Sequence, residues 1–263
     1  MNIIVCVKQV PDTAEIKIDP VTNTLIRAGV PSIVNPFDAY ALETAVRLKE
    51  KCGGKVTVIS MGPEQAKAAL KQCLSVGADE AYLISDRSFG GSDTLATSYI
   101  LAAAVRYLEK TEKIDLIMCG KQAIDGDTGQ VGPEIAEHLG WAQMTYVKSA
   151  EPDKQCLEVK RESEQGYDIY DVSLPAVVTM TKPDYEPRFA SIKSKLAANR
   201  AEIKILTGLE LETDISRCGL KGSPTKVKKT FTPKKVKSGL KIEKEAPEAV
   251  AELLVKLQEE HLI

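Results

Sequence analysis

The sequence predicts an α/β fold: a parallel sheet with helices on both faces, an antiparallel extension, and an extended C-terminal arm that ends in a helix. Three observations lead there. Through residues 2–139 short apolar runs alternate with stretches of helical periodicity, giving four strand–helix pairs in succession. From Gln143 onward the apolar runs follow one another on short polar links, with no helix between them. After Leu211 the packed pattern fades into a lysine-rich stretch, and one amphipathic segment closes the chain.

Residues 2–7 read as the first buried strand, and residues 8–13 leave it as a loop with Pro11 and Asp12 as turn residues. Residues 15–18 and 24–27 flank Asp19-Pro-Val-Thr-Asn23 as an inserted hairpin. Asn35-Pro36 then starts a turn. Asp38 is expected to cap a helix whose Leu42, Ala45, Val46 and Lys49 share a face, with Gly53-Gly54 ending it. Residues 55–61 form the second strand, and Gly62-Pro63-Glu64 opens a helix closed by Gly77. Residues 78–85 supply the third strand, residues 86–98 a loop, and residues 97–110 a helix. The fourth strand is 114–119. Residues 144–148, 156–161, 167–173 and 176–180 are strand-like and are expected to form the antiparallel extension. A Pro-bounded loop from Pro183 enters a short basic helix ending at Arg200. Between Lys221 and Lys244 nine lysines stand against one acid, Glu243, which reads as an arm. From Gly219 to Glu245 it could reach about 90 Å if fully extended. Residues 247–262 form a helix with Val250, Leu253, Leu254 and Leu257 on one stripe. The domain division is 1–205 for the α/β body and 206–263 for the arm and its helix, which needs a surface to dock on and is expected to find it on a partner subunit.

The connection after the fourth strand, Gly120-Lys-Gln-Ala-Ile-Asp-Gly-Asp-Thr-Gly-Gln-Val-Gly-Pro-Glu-Ile-Ala-Glu-His-Leu139, is the richest in chemistry. Gly126, Gly129 and Gly132 fall where the chain turns, and glycine there permits positive φ and a close backbone approach. Asp127 and Thr128 are N-cap candidates, and Pro133 suits a first helical turn. Such a helix opening suits a phosphate or pyrophosphate. The glycines alone fit a bare strand-to-helix turn equally well. The position of the loop, at the carboxyl end of a parallel strand, favours a ligand site in a Rossmann-like sheet.

Composition excludes several classes. The chain has 263 residues, 43% of them hydrophobic and 27% charged, with a net charge of −2, so nothing draws it to nucleic acid or acidic membranes. It lacks a signal-peptide run and a window long enough for a membrane span, and a cytoplasmic protein is expected. Six cysteines without C-x-x-C spacing favour reduced, mostly buried thiols and argue against zinc or iron–sulfur ligation. Two histidines, His138 and His261, leave a catalytic triad little to build on. An ATP-cleaving enzyme lacks its phosphate loop here. A nucleic-acid binder acting through the lysine arm would have Phe231 as its single aromatic for stacking.

In order along the chain, Val7-Lys-Gln-Val-Pro-Asp-Thr13, Asn35-Pro-Phe-Asp-Ala-Tyr-Ala-Leu-Glu43, Met61-Gly-Pro-Glu-Gln65, Gly120-Lys-Gln-Ala-Ile-Asp125 with its sequel, and Leu174-Pro-Ala-Val-Val-Thr179 make a specific set. Together they resemble the small (beta) subunit of electron-transfer flavoproteins over essentially the full chain. The resemblance implies a heterodimer with a large (alpha) subunit, in which this chain holds an adenine nucleotide. In ordinary members that nucleotide is AMP. In a second group it is FAD, which takes a hydride from NADH and splits the electron pair. One electron goes to ferredoxin or flavodoxin, and the other goes through the large-subunit FAD to an acyl-CoA dehydrogenase or quinone.

Three features look like the second, electron-bifurcating group: Gln9 where ordinary members carry Arg or Lys, the Gly91-Ser-Asp-Thr-Leu-Ala-Thr-Ser98 loop, and Gly126 where many AMP-binding members have a second acid. The segment Arg161–Pro175 fits the family pattern loosely, and Gly129 stands where many members have Ala. Carried over by resemblance, Cys6, Val7 and Lys8 lie under the adenosine, with Asn35, Asp38 and Met61 nearby. Gly120, Gln122, Asp125, Gly126, Asp127, Thr128, Gly129, Gln130, Val131 and Gly132 hold ribose and pyrophosphate, and Thr94 and Thr97 face the flavin ring. Pro187, Arg188, Ile192 and Leu196 belong to the loop and helix that meet dehydrogenase partners. No side chain is implied as an acid or base, since hydride and electron transfer are the cofactor's chemistry.

Overall fold

The computed structural model describes residues 1–12, 31–153, 156–228 and 239–263; the hairpin expected over residues 15–27 lies outside them. In chain order the elements are β1 (Asn2–Cys6), β2 (Gln9–Pro11), β3 (Ser32–Val34), α1 (Pro36–Cys52), β4 (Lys55–Met61), α2 (Lys67–Ser75), β5 (Glu80–Ile84), α3 (Thr94–Glu109) and β6 (Leu116–Gly120). Then come α4 (Val131–Leu139), β7 (Ala142–Asp153), β8 (Cys156–Ser163), β9 (Gly166–Ser173), β10 (Ala176–Met180), α5 (Ile192–Arg200), β11 (Lys204–Leu206), α6 (Gly219–Gly222) and α7 (Ala246–Glu259). Met1–Lys228 form one compact unit and Lys229–Ile263 a second.

The first unit is built on a nine-stranded sheet in the order β11-β5-β4-β1-β6-β10-β7-β8-β9. Pairing is parallel from β11 to β7 and antiparallel across β7, β8 and β9. The interior strands read as unbroken apolar runs because both faces are covered. Val5, Val58, Met118 and Val178 point to the face packed by α1 and α2, where Leu42, Ala45, Val46 and Leu70 close the layer. Ile4, Ile59, Ile117 and Val177 point to the other face, against Ile100 and Val105 of α3 and Ile135 and Ala136 of α4. From β1 the chain winds outward through β4 to β5, then crosses to β6 on the opposite side of β1. The winding therefore reverses between β1 and β6, the switch point beyond whose strand ends sheets of this kind form their ligand crevice.

Several expectations need correction. Residues 9–11 are not loop: Gln9, Val10 and Pro11 pair antiparallel with Val34, Ile33 and Ser32, partners that local turn chemistry could not reveal. Residues 176–180 are not part of the antiparallel extension. They return to the sheet interior and run parallel between β6 and β7, which is why every residue of Ala-Val-Val-Thr-Met is buried. Helix α3 starts at Thr94, because Asp93 accepts a hydrogen bond from the Ala96 N–H at 3.1 Å and caps it earlier than the apolar period suggests. Leu206, Leu211 and Cys218 are buried against the α3 side of the sheet, so packing continues beyond β11.

The second unit, taken by itself, contains α7. Pro247 stands in its first turn, and Val250, Leu253 and Leu254 remain exposed along one stripe. No helix among the described residues is long and apolar enough to cross a membrane.

Candidate functional site

The crevice between β1 and β6 is framed by three loops, and its floor is one carboxylate. Asp38, expected to cap α1, does not: it lies inside the first turn, where its Oδ2 accepts from the Lys8 N–H at 2.7 Å and its Oδ1 from the Gly120 N–H at 3.1 Å. It thereby ties the ends of β1 and β6 to the start of α1. Burial pushes the Asp38 carboxyl up to about 7, against the hydrogen bonds from Asn35, Lys8 and Gly120 that favour its charged form. Gly120 is required at this junction, since a Cβ there would lie 2.4 Å from Asp38 Oδ1 and 2.6 Å from Phe37 Cβ.

Asn35 occupies the position before α1 without capping it. Its fully buried amide turns to the glycine loop, donating to Gln122 O at 2.9 Å and accepting from the Ile124 N–H at 3.2 Å. Lys8 reaches across the crevice to Asp125, Nζ to Oδ1 2.6 Å. Gln122 donates to Asp127 Oδ1 at 2.8 Å. The structure thus draws Lys8, Asn35, Asp38, Gly120, Gln122, Asp125 and Asp127 into one hydrogen-bonded group. Cys6 and Val7 are buried at the end of β1, with Met61 half-buried at the end of the neighbouring β4.

The helix opening differs from expectation. Asp127 and Thr128 do not cap α4. Gln130 holds the N-cap position without a side-chain bond, and Val131 and Gly132 begin the helix. Positive φ falls at Asp127 (51°) and Gly129 (63°), not at Gly126 or Gly132. Each glycine has its own use. A Cβ on Gly126 would meet nothing within 4 Å, so that side of the loop is open space, whereas a Cβ on Gly132 would sit 2.5 Å from Thr179 Cγ2. Gly132 therefore lets α4 lie directly on the sheet.

On the other rim, Thr94 and Thr97 stand half-buried in the first turn of α3. Thr94 Oγ1 lies 3.0 Å from Gln130 Oε1 and 3.3 Å from Glu134 Oε1, joining the α3 rim to the glycine loop. Sequence reasoning missed Glu134, in the first turn of α4. Its Oε2 is buried without a partner, as is His138 Nε2 one turn on. Burial, Arg217 and Arg106 hold His138 below its ordinary range. Sequence reasoning also missed Asp93, Ser223 and Thr225, although an Asp directly before the Thr-Leu-Ala that opens α3 is itself a cap signature.

An ammonium at Lys8, an acceptor at Asp125, open space beside Gly126, the N-terminus of α4 and uncharged hydroxyls at Thr94 and Thr97 fit an adenine nucleotide with its phosphates. Among the described residues no cluster of His, Cys, Asp and Glu could hold a metal ion.

A second feature lies away from the crevice. The Arg188 guanidinium binds Glu43 at 2.8 Å and Glu50 at 2.5 Å, and its backbone N–H donates to Glu43 Oε2 at 3.0 Å. Burial would raise the Glu43 carboxyl, but Arg188 and Arg47 hold it below the usual range. This fixes the base of a loop from which Phe189, 98% exposed, projects; Ile192 and Leu196 of the following α5 are also exposed, and Pro187 is half-buried.

Comparison with known proteins identifies the family. A model of the electron transfer flavoprotein domain matches residues 22–209. The electron transfer flavoprotein subunit beta of Clostridium acetobutylicum is 52% identical over 263 residues, spanning 100% of both chains. Protein FixA of Azotobacter vinelandii is 49% identical over 238 residues, 89% of this chain and 85% of that one. The caffeyl-CoA reductase-Etf complex subunit CarD of Acetobacterium woodii is 46% identical over 265 aligned residues and 100% of both chains. The chain belongs to the electron transfer flavoprotein family, among the beta subunits that pair with an alpha subunit in flavin-associated electron transfer.

Proposed function

We propose that this beta subunit holds FAD in the β1–β6 crevice, takes a hydride from NADH and sends the two electrons to different acceptors. One acceptor is ferredoxin or flavodoxin. The other is reached through the FAD of the alpha subunit and is an acyl-CoA dehydrogenase or a quinone-linked protein. The observation that carries the reading is the Thr94–Gln130 contact. It brings the hydroxyls at the start of α3 against the glycine loop that also meets Lys8 and Asn35, which supports a ligand longer than adenosine monophosphate with its ring system beside Thr94 and Thr97. The likeness to a caffeyl-CoA reductase-Etf complex subunit supports a partner that acts on a CoA thioester.

The bound flavin supplies the hydride and electron chemistry. The chain's own residues bind and orient. The α4 N-terminus offsets phosphate charge, Lys8 lies under the adenosine and orients Asp125, and Asp125 accepts from a ribose hydroxyl. Cys6, Val7 and Met61 line the adenosine end, and Thr128, Gly129 and Val131 bring backbone to the phosphates. Thr94 and Thr97 offer hydrogen bonds without adding charge, which avoids favouring an anionic ring.

The test is to purify the chain with its alpha subunit and count cofactors after acid release. Two FAD per heterodimer supports the reading. One FAD and one AMP refutes it, leaving a subunit that binds AMP structurally and carries electrons without splitting pairs. Ferredoxin reduction by NADH that requires a high-potential acceptor completes the test.

A further inference from the structure

Residues 219–225, which open the lysine-rich stretch, are bonded along their length to the loop that precedes α3. The Gly219 N–H donates to Ser92 Oγ at 3.0 Å, and the Asp93 N–H donates to Ser223 Oγ at 2.8 Å. Ser223 Oγ in turn donates to Gly219 O at 2.7 Å. Thr225 donates twice to Asp93 Oδ2, from its N–H at 3.0 Å and its hydroxyl at 2.7 Å. The other oxygen of Asp93 caps α3 through the Ala96 N–H.

The directions of these bonds are fixed. A carboxylate only accepts, so both Thr225 groups must donate to it. Ser223 has spent its one proton on Gly219 O, so its lone pair is free for the Asp93 N–H. Shape reinforces polarity. Gly219, at φ +60°, sits where a Cβ would lie 2.3 Å from Ser88 O, and Gly91, at φ +77°, where a Cβ would lie 2.6 Å from Leu220 Cγ. Ser223 itself is buried. The two segments can meet in one way, and the residue after Asp93 is Thr94.

We infer that Ser223 and Thr225 are positioning residues: by clamping Asp93 they aim the Thr94 and Thr97 rim of the crevice. This rests on the proposed function in taking that rim to face a flavin. The clamp itself does not. Thr225 also stands three residues before Lys228, the last residue of the first unit, so the chain is held at the crevice rim just before the second unit begins.

The experiment uses the co-purified heterodimer with Thr225→Val, which keeps the backbone donor and the shape, Ser223→Ala, and the conservative Thr225→Ser. Amide exchange of residues 94–97, read by mass spectrometry, should accelerate roughly tenfold in the first two variants and return toward wild type in the third. The visible band of the flavin bound to this subunit should shift in the same two variants and recover in Thr225→Ser. Unchanged exchange at 94–97 overturns the inference. Faster exchange with an unmoved flavin band also overturns it, because the clamp would then be structural only. If this subunit carries AMP, the proposed function fails, and the exchange result alone decides whether the clamp orders the rim.

Discussion

Replacing Gly132 with alanine should destabilise the protein although alanine is the better helix former. The new Cβ would sit 2.5 Å from Thr179 Cγ2, with Cys119 Cβ and Sγ at 3.7 and 3.8 Å. Carbon atoms at rest stand about 3.5–4.0 Å apart, so the overlap with Thr179 is about 1 Å. Thr179 cannot give way easily. It is 4% exposed, β-branched, and lies on the interior strand β10, where its Oγ1 accepts from the Tyr146 N–H at 3.3 Å. Overpacking of this kind costs about 2–3 kcal/mol, and the glycine-to-alanine change returns about 1 kcal/mol of helix propensity. The net loss is about 1–2 kcal/mol. Thr179→Ser removes the offending methyl and keeps the hydroxyl, at a cost of about 1 kcal/mol for lost buried apolar contact. In the double variant the alanine methyl occupies the vacated space, so the two losses should not add. The expected coupling is about 1–2 kcal/mol in favour of the pair. Denaturant unfolding of the heterodimer, at one protein concentration for all four forms, measures it. Additive losses in the double variant would refute the claim that α4 rests on Thr179.

The buried carboxylate gives a pH-dependent prediction. With Asp38 pushed up to about 7, the folded state holds that proton more tightly than the unfolded chain, whose carboxyl titrates near 3.8. Its contribution to stability is complete below the lower value and is lost as pH rises through the upper one. The penalty of Asp38→Asn should therefore be largest near pH 4 and shrink by up to about 4 kcal/mol by pH 8; a penalty independent of pH would refute this. Lys8→Met leaves Asp125 without its ammonium and should weaken nucleotide retention about tenfold, read from the cofactor released on dilution. Arg188→Ala leaves Glu43 with Arg47 alone and should lower the unfolding midpoint by the equivalent of about 1–2 kcal/mol. Phe189→Ala, at an almost fully exposed position, should change stability by no more than about 0.5 kcal/mol while, on the proposed function, slowing electron transfer to a dehydrogenase partner, read by acceptor reduction.

Most of the sheet was legible because parallel interior strands are continuous apolar runs and the helices between them keep a clean period. The second strand, at Lys55–Met61, falls where its pattern placed it. What failed were readings that depend on distant partners. Asp38 stands where a helix cap is common, and the local pattern offers no sign that the N–H groups of Lys8 and Gly120 arrive to claim it. Strand β10 looked like one more meander strand, because the preceding strands share its spacing while its neighbours lie far back in sequence. Asp127 carries a left-handed φ that its type tolerates, so Gly126 next to it needs none. Residues 219–225 were hidden by composition, since the lysines around them signal solvent and the bonds that fix them run through serine, threonine and glycine.

The late return of β10 also sets the order in which a nascent chain can complete itself. Strands β6 and β7 are never direct neighbours, and each meets β10 along one edge. A ribosome-bound chain ending before Ala176 therefore presents two open strand edges with a gap between them, a geometry that invites association with other chains. The Lys121 N–H, first in the glycine loop, bonds to Met180 O, the last carbonyl of the strand that fills the gap. Synthesis must pass residue 180 before the loop after β6 gains this backbone bond, which completes the anchoring that Asn35 and Lys8 begin.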